Sequence, residues 1–122
     1  PFENDLSFLY GTIFIDNKKQ PSGADSKNVC IFAEGEVDRC PTGSGVSGRM
    51  AIHKARNEID YGQVLTIESI TGSKFKGSLV SEQDYGSFKA IIPQVEGRAY
   101  ITGMQTFVID PNDPMKNGFI LR

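Results

Sequence analysis

The fold of this chain is decided by residues 38–50, which read Asp38-Arg39-Cys40-Pro41-Thr42-Gly43-Ser44-Gly45-Val46-Ser47-Gly48-Arg49-Met50. The first half of this segment cannot form ordinary helix, because Pro41 lacks a backbone N–H group and glycines adopt angles that other residues avoid. The second half begins a run whose spacing is compatible with a helix. We therefore predict a loop that leads into a helix over residues 43–60, with Gly62 as its stop.

The predicted helix N-terminus is a candidate site for an anionic group. The first turn of a helix has unpaired backbone N–H groups, the helix dipole is positive there, and glycines let an anion approach closely. A carboxylate or a phosphate fits such a site. Asp38 lies a few residues earlier and could hold a positive group of the same small molecule. Together the two features favour a zwitterion such as an amino acid over a nucleotide.

Length and composition predict a single domain that is rich in turns and mostly β, with 13 glycines and no Trp in 122 residues. The net charge of -2 is spread along the chain, so nucleic acid and anionic membranes are not expected as partners. No apolar run is long enough to span a membrane and no signal-peptide pattern is present, which predicts a soluble, cytoplasmic protein. Because Pro1 rather than Met is the first residue, we expect a piece of a longer protein.

Cysteine and histidine usage excludes two kinds of site from the prediction. The sequence has two cysteines, Cys30 and Cys40, which are too few for a disulfide scaffold. With one histidine and no ligand-like spacing, the sequence predicts no metal site. Cys30 is expected to be a small apolar residue of the core, since unpaired cysteine is usually buried.

Most of the remaining chain is predicted to form strands, because β-branched and aromatic residues are separated by glycine-containing turns. The first of these strands is expected to be buried, and the second to deliver Asp38 at its far end. The helix carries small or apolar residues on nearly every side of its first half, which predicts that a barrel or strongly curved sheet encloses that half. The predicted strands are residues 6–15, 28–33, 63–70, 73–81, 88–95 and 98–109, with a short closing strand at 119–121.

Residues 38–45 and their flanks resemble the proline racemase family. The second signature of that family is a strand, an Asp-Arg-Ser-Pro-Cys-Gly-Thr-Gly segment and a central helix, and residues 38–45 follow that pattern. Further similar stretches lie at 27–29, 32–35, 49–51, 68–70, 101–104 and 110–114. The resemblance implies an α+β fold like that of diaminopimelate epimerase. Such enzymes have two similar domains, each a mainly antiparallel β-barrel around a central helix, and the active site lies between them.

The resemblance also implies that residues 1–122 are the C-terminal portion of such an enzyme. The family's first signature, Met-Cys-Gly-His, is absent from this sequence and is expected in a missing N-terminal half. In the racemases and epimerases, one cysteine from each half acts on each face of the substrate. The implied partners are an imino acid substrate, the missing half and, as a family expectation, a second copy in a homodimer. No cofactor is implied, and residues 98–122 are expected to pack onto the missing half.

Thr42 stands where the racemases have their second catalytic cysteine. This substitution resembles the branch of the family that dehydrates trans-3-hydroxy-L-proline to pyrroline-2-carboxylate. The resemblance implies that Asp38 contacts the ring ammonium of the substrate. It also implies that the backbone N–H groups of Gly43 and Ser44 bind the substrate carboxylate.

Other interpretations of these residues remain open at this stage. The protein could be a proline racemase or 4-hydroxyproline epimerase, or a noncatalytic amino-acid-binding protein. Asp38 could only cap the turn and Gly43 could only shape it. Cys40 could be proposed as a displaced nucleophile, but it lies two residues out of register with the family's cysteine. His53 is expected to be structural, whereas Arg49 could either form an ion pair or steer substrate.

Overall fold

A computed structural model of the chain describes residue 4 and residues 7–120. Within these residues, five strands and one helix form an α+β arrangement, in agreement with the predicted fold class. No helix in the described part of the chain is long and apolar enough to cross a membrane. In chain order the elements are β1 (Gly11–Asp16), β2 (Ser26–Phe32), α1 (Gly43–Ala55), β3 (Val64–Ser69), β4 (Lys74–Tyr85) and β5 (Phe88–Glu96).

The five strands form one sheet in the order β1-β2-β3-β4-β5. Three of the four neighbouring pairs are antiparallel, whereas β2 and β3 are parallel. Parallel neighbours need a long connection, and α1 supplies it by carrying the chain back across the sheet. The parallel register pairs Asn28 with Ser69. Among the described strands, β1 and β5 lie at the two edges of the sheet and do not pair with each other. The described residues therefore do not form the closed barrel that the resemblance implies.

The core lies between α1 and the sheet. Val46 and Met50 are fully buried on the helix and pack with Ile67 of β3 and Leu79 of β4. The helix packs closely on β4 at Gly77, where an added Cβ would lie 2.8 Å from the sulfur of Met50. A larger side chain at this position would force the side chains of Val46 and Met50 to shift.

Only one face of α1 is covered in the described structure. Val46, Arg49 and Met50 are buried, whereas Ser44 and Ile52 are exposed. The prediction that the first half of the helix is enclosed on nearly every side is therefore wrong for this chain alone. The reason is that the five-stranded sheet supplies a surface for one side of the helix only.

The helix also ends earlier than predicted, at Ala55 rather than near residue 60. Asn57 adopts a left-handed conformation, with φ of 56°, directly after the last turn. Its N–H group donates to the carbonyl of Lys54 at 3.0 Å, and the N–H group of Glu58 donates to the carbonyl of His53 at 2.8 Å. These two bonds form a Schellman motif, which satisfies carbonyls that would otherwise be unpaired. Gly62, the predicted stop, lies in a later turn.

Several predicted strands differ from the structure. β1 begins at Gly11, and residues 7–10 of the predicted strand lie in no strand, whereas residue 6 lies outside the described residues. Most side chains of β1 are exposed rather than buried. Residues 98–109 form no strand at all, and Ile101 and Met104 are 93% and 95% exposed. A sequence rich in β-forming residues forms a strand only where another strand pairs with it. Phe119 and Ile120 likewise lie outside any strand, and Leu121 lies outside the described residues.

Candidate functional site

The chain folds back along β2 after that strand ends. The chain reverses in a turn at Gly35, whose φ of 93° is suited to glycine. In this turn the N–H group of Gly35 donates to the carbonyl of Phe32. Val37 then pairs with Ile31, and the N–H group of Asp38 donates to the carbonyl of Cys30 at 3.0 Å. The reversal places Asp38 beside Cys30 of β2, so the prediction that it lies at the far end of this strand is wrong.

The loop of residues 38–42 wraps around the Asp38 carboxylate. Oδ1 of Asp38 accepts the backbone N–H of Cys40 at 3.0 Å, and Oδ2 accepts the hydroxyl of Thr42 at 2.8 Å. The sulfur of Cys40 in turn accepts the backbone N–H of Thr42 at 3.3 Å. Asp38 therefore caps this turn. Its side chain is only half-buried, so it remains accessible to a ligand.

These contacts lower the pKa of Asp38. Burial alone would raise it, but the hydrogen bonds from the Cys40 N–H and the Thr42 hydroxyl outweigh burial and bring the pKa below its ordinary value of 3.8. The carboxylate is thus ionised at neutral pH and able to bind a cation. The stabilisation that it gives the fold is present above its unfolded pKa and is lost as the pH falls through the lower folded pKa.

Cys40 is a poor nucleophile in this arrangement. Burial raises the pKa of its thiol, and the neighbouring Asp38 carboxylate raises it further. With its pKa raised, the Cys40 thiol stays protonated at neutral pH. Because the thiolate is the reactive form of cysteine, Cys40 reacts slowly in this arrangement. This agrees with its position out of register with the family's catalytic cysteine. Cys30 is buried in β2, at 3% exposure, as predicted.

Thr42 occupies the N-cap of α1 in a strained conformation. Its φ is 66° and its ψ is 104°, and a positive φ is rare for a residue branched at Cβ. The side chain is buried, at 8% exposure, and its hydroxyl does not cap the helix because it donates to Asp38. Thr42 therefore offers only the lone pairs of its oxygen to any other group.

The first turn of α1 leaves its backbone N–H groups free. The N–H of Val46 donates to the carbonyl of Thr42 at 2.8 Å, and no acceptor in the described part of the chain pairs with those of Gly43, Ser44 and Gly45. No acidic side chain lies in this turn. A Cβ added at Gly43 would meet no atom within 4 Å. The predicted helix end thus combines free donors with open space, which suits an anion.

Two buried polar side chains hold the loop, and the sequence analysis gave neither of them a role. Nδ2 of Asn28 donates to the carbonyl of Pro41 at 3.0 Å, and the hydroxyl of Ser69 donates to the carbonyl of Arg39 at 3.0 Å. Asn28 is 3% exposed and Ser69 is fully buried. Each residue lies at a polar end of its strand, so the sequence gives little sign that its side chain is buried. Once buried, such a polar group needs a specific partner, and the loop carbonyls provide it.

Arg49 and His53 lie on another part of the helix. Arg49 is buried, donates to the hydroxyl of Ser26 at 2.9 Å, and forms no ion pair with a carboxylate among the described residues. Burial lowers its pKa. His53 lies 2.6 Å from Glu58, as a structural residue at the helix end. Neither side chain hydrogen-bonds to residues 38–42 in the described structure.

Comparison with known proteins gives consistent matches over the whole chain. A family model described as "Proline racemase" matches residues 1–120. A curated protein from Colwellia psychrerythraea, named trans-3-hydroxy-L-proline dehydratase, is 48% identical over 122 residues, which cover 100% of this chain and 34% of that protein. A Homo sapiens protein of the same name is 42% identical over 123 residues, with 100% and 35% covered.

Solved structures have the same fold. A hydroxyproline epimerase from Agrobacterium vitis, with bound trans-4-OH-L-proline, superposes with a TM-score of 0.75 at 31% identity, covering 93% of this chain and 32% of that one. This likeness confirms the α+β fold class predicted from the sequence. The chain spans about a third of the length of the curated relatives that it matches.

Proposed function

Because this chain belongs to the proline racemase family, we propose that it is the C-terminal portion of a cofactor-independent dehydratase acting on trans-3-hydroxy-L-proline. The observation that carries the proposal is that the Thr42 hydroxyl donates to Asp38. By its resemblance to the family's second signature, Thr42 is proposed to stand in place of the second catalytic cysteine. The longer curated relatives support a missing N-terminal half. In this proposal that half supplies the catalytic cysteine and the other wall of the pocket.

In the proposed reaction, a base removes the α-proton and the hydroxyl at C3 departs with a proton as water. The C–H and C–O bonds break and a carbon–carbon double bond forms, giving an enamine that isomerises to pyrroline-2-carboxylate. In the trans isomer the hydroxyl and the α-hydrogen lie on the same ring face. One group on that face can therefore act first as base and then as acid, in a syn elimination.

The substrate would bind as a zwitterion at the end of α1. Its carboxylate would accept the free N–H groups of Gly43 and Ser44, at the positive end of the helix dipole. Its ring ammonium would contact Asp38, whose lowered pKa keeps the carboxylate charged at neutral pH. The two binding groups lie at opposite ends of one short loop, which suits an α-imino acid.

Thr42 would face the ring from the side opposite the base. A thiol at this position could return a proton to the α-carbon from that face, which is how a racemase inverts the centre. A threonine hydroxyl is a much poorer proton donor to a carbanion, and here its hydrogen is already donated to Asp38. The proposed enzyme therefore eliminates water without epimerising its substrate.

An epimerase or racemase of hydroxyproline or proline is the second candidate, favoured by the name of the structural relative from Agrobacterium vitis. Chiral analysis after incubation with L-proline and with trans-4-hydroxy-L-proline separates the two candidates, since only this alternative predicts inversion. A noncatalytic amino-acid-binding protein is a third possibility. It would be favoured if the missing half lacked the cysteine of the Met-Cys-Gly-His signature.

Asp38→Asn should weaken catalysis by the longer protein. The loss of a charge-assisted contact to the ammonium costs about 1.5 to 3 kcal/mol, or about 10- to 150-fold in kcat/KM. Steady-state kinetics on trans-3-hydroxy-L-proline measure the effect. Thr42→Val is the control, because it removes the hydroxyl bond to the carboxylate but keeps the charge. Equal losses in both variants would leave Asp38 with its turn-capping role alone.

Gly43→Ala should raise KM for the substrate by about tenfold while the protein stays folded, because the new methyl group occupies the space proposed for the carboxylate. The structure gives this substitution no steric cost, since nothing lies within 4 Å of the added Cβ. Gly48→Ala is a matched control in the same helix, also with open space around the added carbon. It should leave KM unchanged. A normal KM in Gly43→Ala would contradict the proposed carboxylate site.

The exposed apolar segment at the C-terminal end is proposed to pack against the missing half. Five of its apolar side chains are at least 73% exposed in this chain, and apolar surface of this kind usually marks an interface. These are Tyr100, Ile101, Met104, Phe107 and Val108.

We further propose a homodimer, to be tested by sedimentation of the longer protein. The two free cysteines fit the reducing environment of the cytoplasm, which is the proposed location.

A further inference from the structure

Two side chains from neighbouring strands bind the loop on either side of Cys40. Asn28 of β2 donates to the carbonyl of Pro41, and Ser69 of β3 donates to the carbonyl of Arg39, each at 3.0 Å. Asn28 and Ser69 are register partners in the parallel pair of strands. Two side chains that lie next to each other in the sheet therefore bind two carbonyls of the loop that leads into α1.

The two carbonyls differ in how many donors reach them. The hydroxyls of Thr71 and Ser73 also lie within hydrogen-bond distance of the Arg39 carbonyl, at 2.6 and 3.1 Å. A carbonyl oxygen has two lone pairs, so three hydroxyls exceed what it can accept fully. The Arg39 carbonyl would thus keep a donor after the loss of one hydroxyl. Among the described residues, Asn28 is the single side-chain donor to Pro41.

The loop needs such external contacts because of Thr42. A Cβ-branched residue at φ of 66° is strained and keeps that conformation only when its surroundings impose it. The bonds from Cys40 and Thr42 to Asp38 lie within the loop and move with it. The bonds from Asn28 and Ser69 instead connect the loop to the sheet.

We propose that Asn28 and Ser69 are positioning residues that hold the strained Thr42 backbone. They thereby fix the Asp38 carboxylate and the free N–H groups of α1 in the geometry that binds substrate. We call this pair the loop clamp. Its effect on catalysis rests on the proposed function, whereas its effect on the loop does not.

The alkylation rate of the Cys40 thiol measures how firmly the clamp holds the loop, and this measurement does not depend on enzyme activity. It lies between the two bound carbonyls, and it is partly buried. In the longer protein, Asn28→Leu should raise the rate of Cys40 alkylation by iodoacetamide about tenfold, measured by mass spectrometry of peptides, because local opening exposes the thiol. Cys30, buried in β2, should stay protected and serves as the internal control.

Met50→Ala is the matched control for a general loss of stability. Met50 is fully buried in the core between α1 and the sheet, so its truncation should promote opening of the whole domain. Both Cys30 and Cys40 should then react faster, while kcat/KM per folded molecule stays unchanged. If Asn28→Leu fails to fold, Ser69→Ala combined with Thr71→Val and Ser73→Ala removes all three hydroxyls that reach the Arg39 carbonyl. This triple variant should raise the rate of Cys40 alkylation more than Ser69→Ala alone, and an equal rate in the two would overturn the clamp.

Kinetics give the second readout. In Asn28→Leu, kcat/KM for trans-3-hydroxy-L-proline per folded molecule should fall about 10- to 100-fold, since small misplacements of binding groups cost this much. Absence of turnover by the unsubstituted protein would refute the proposed function, and Cys40 alkylation would still decide the clamp. Equal Cys40 alkylation rates in the folded Asn28→Leu variant and the unsubstituted protein would overturn the clamp, whatever the kinetics.

Discussion

Replacing Thr42 with cysteine should give the longer protein an α-proton exchange activity that it otherwise lacks. The new thiol would lie at the N-terminus of α1, where the helix dipole stabilises a thiolate, on the ring face opposite the proposed base. It could deliver a proton to the α-carbon from that face. Because a positioned acid or base contributes about 10²- to 10⁴-fold, exchange on proline or 4-hydroxyproline should rise by a factor of this size.

Deuterium incorporation in heavy water, combined with chiral analysis of the product, measures this gain. Thr42→Ser is the matched control, since it keeps a hydroxyl that can donate to Asp38 and adds no thiol. Its exchange should stay at the level of the unsubstituted protein. The fold should accept cysteine, because it is not branched at Cβ and relieves part of the strain at φ of 66°. Absence of exchange in a folded Thr42→Cys protein would contradict the proposed placement of this residue.

The isolated chain of residues 1–122 should not turn over trans-3-hydroxy-L-proline at all. It lacks the Met-Cys-Gly-His signature and with it the cysteine proposed to remove the α-proton. One wall of the proposed pocket is also missing, so water would reach the reacting groups. The expected loss is complete, in contrast to the partial losses expected from Asp38 or Gly43 substitutions.

Enzyme assays on the purified chain test this expectation, with circular dichroism to establish that it is folded. The positive control is the longer protein at the same molar concentration. Addition of the separately produced missing half should restore part of the activity if the two halves associate. Dehydration by residues 1–122 alone would contradict the assignment of the catalytic cysteine to another part of the protein.

The start of α1 was predictable from local chemistry, whereas its end was not. Pro41 and the glycines after it restrict the backbone strongly, so the sequence indicates the change from loop to helix at Gly43. The C-terminal end depends on Asn57 adopting a left-handed conformation. Asparagine does this only sometimes, and the pattern favoured Gly62 instead. The strand predicted at 98–109 failed for a related reason, since pairing requires a neighbour that local sequence does not specify.

The residues of the candidate site could be proposed from the sequence, whereas the hydrogen bonds among them could not. Asp38, Thr42 and the free N–H groups at Gly43 could be proposed from one contiguous segment and its family resemblance. The bonds from Asn28 and Ser69 depend on the parallel register of β2 and β3, and that register follows from packing across the whole sheet. The positive φ of Thr42 was also hidden, because threonine rarely adopts it.

Product analysis of the longer protein tests the central claim most directly. The protein is incubated separately with trans-3-hydroxy-L-proline, trans-4-hydroxy-L-proline and L-proline in heavy water, and the products are resolved by chiral chromatography and mass spectrometry. We expect pyrroline-2-carboxylate from the first substrate, with neither inversion nor α-deuterium in the other two. Efficient racemisation of L-proline by the protein that carries Thr42 would contradict both the stereochemical argument and the proposed dehydratase function.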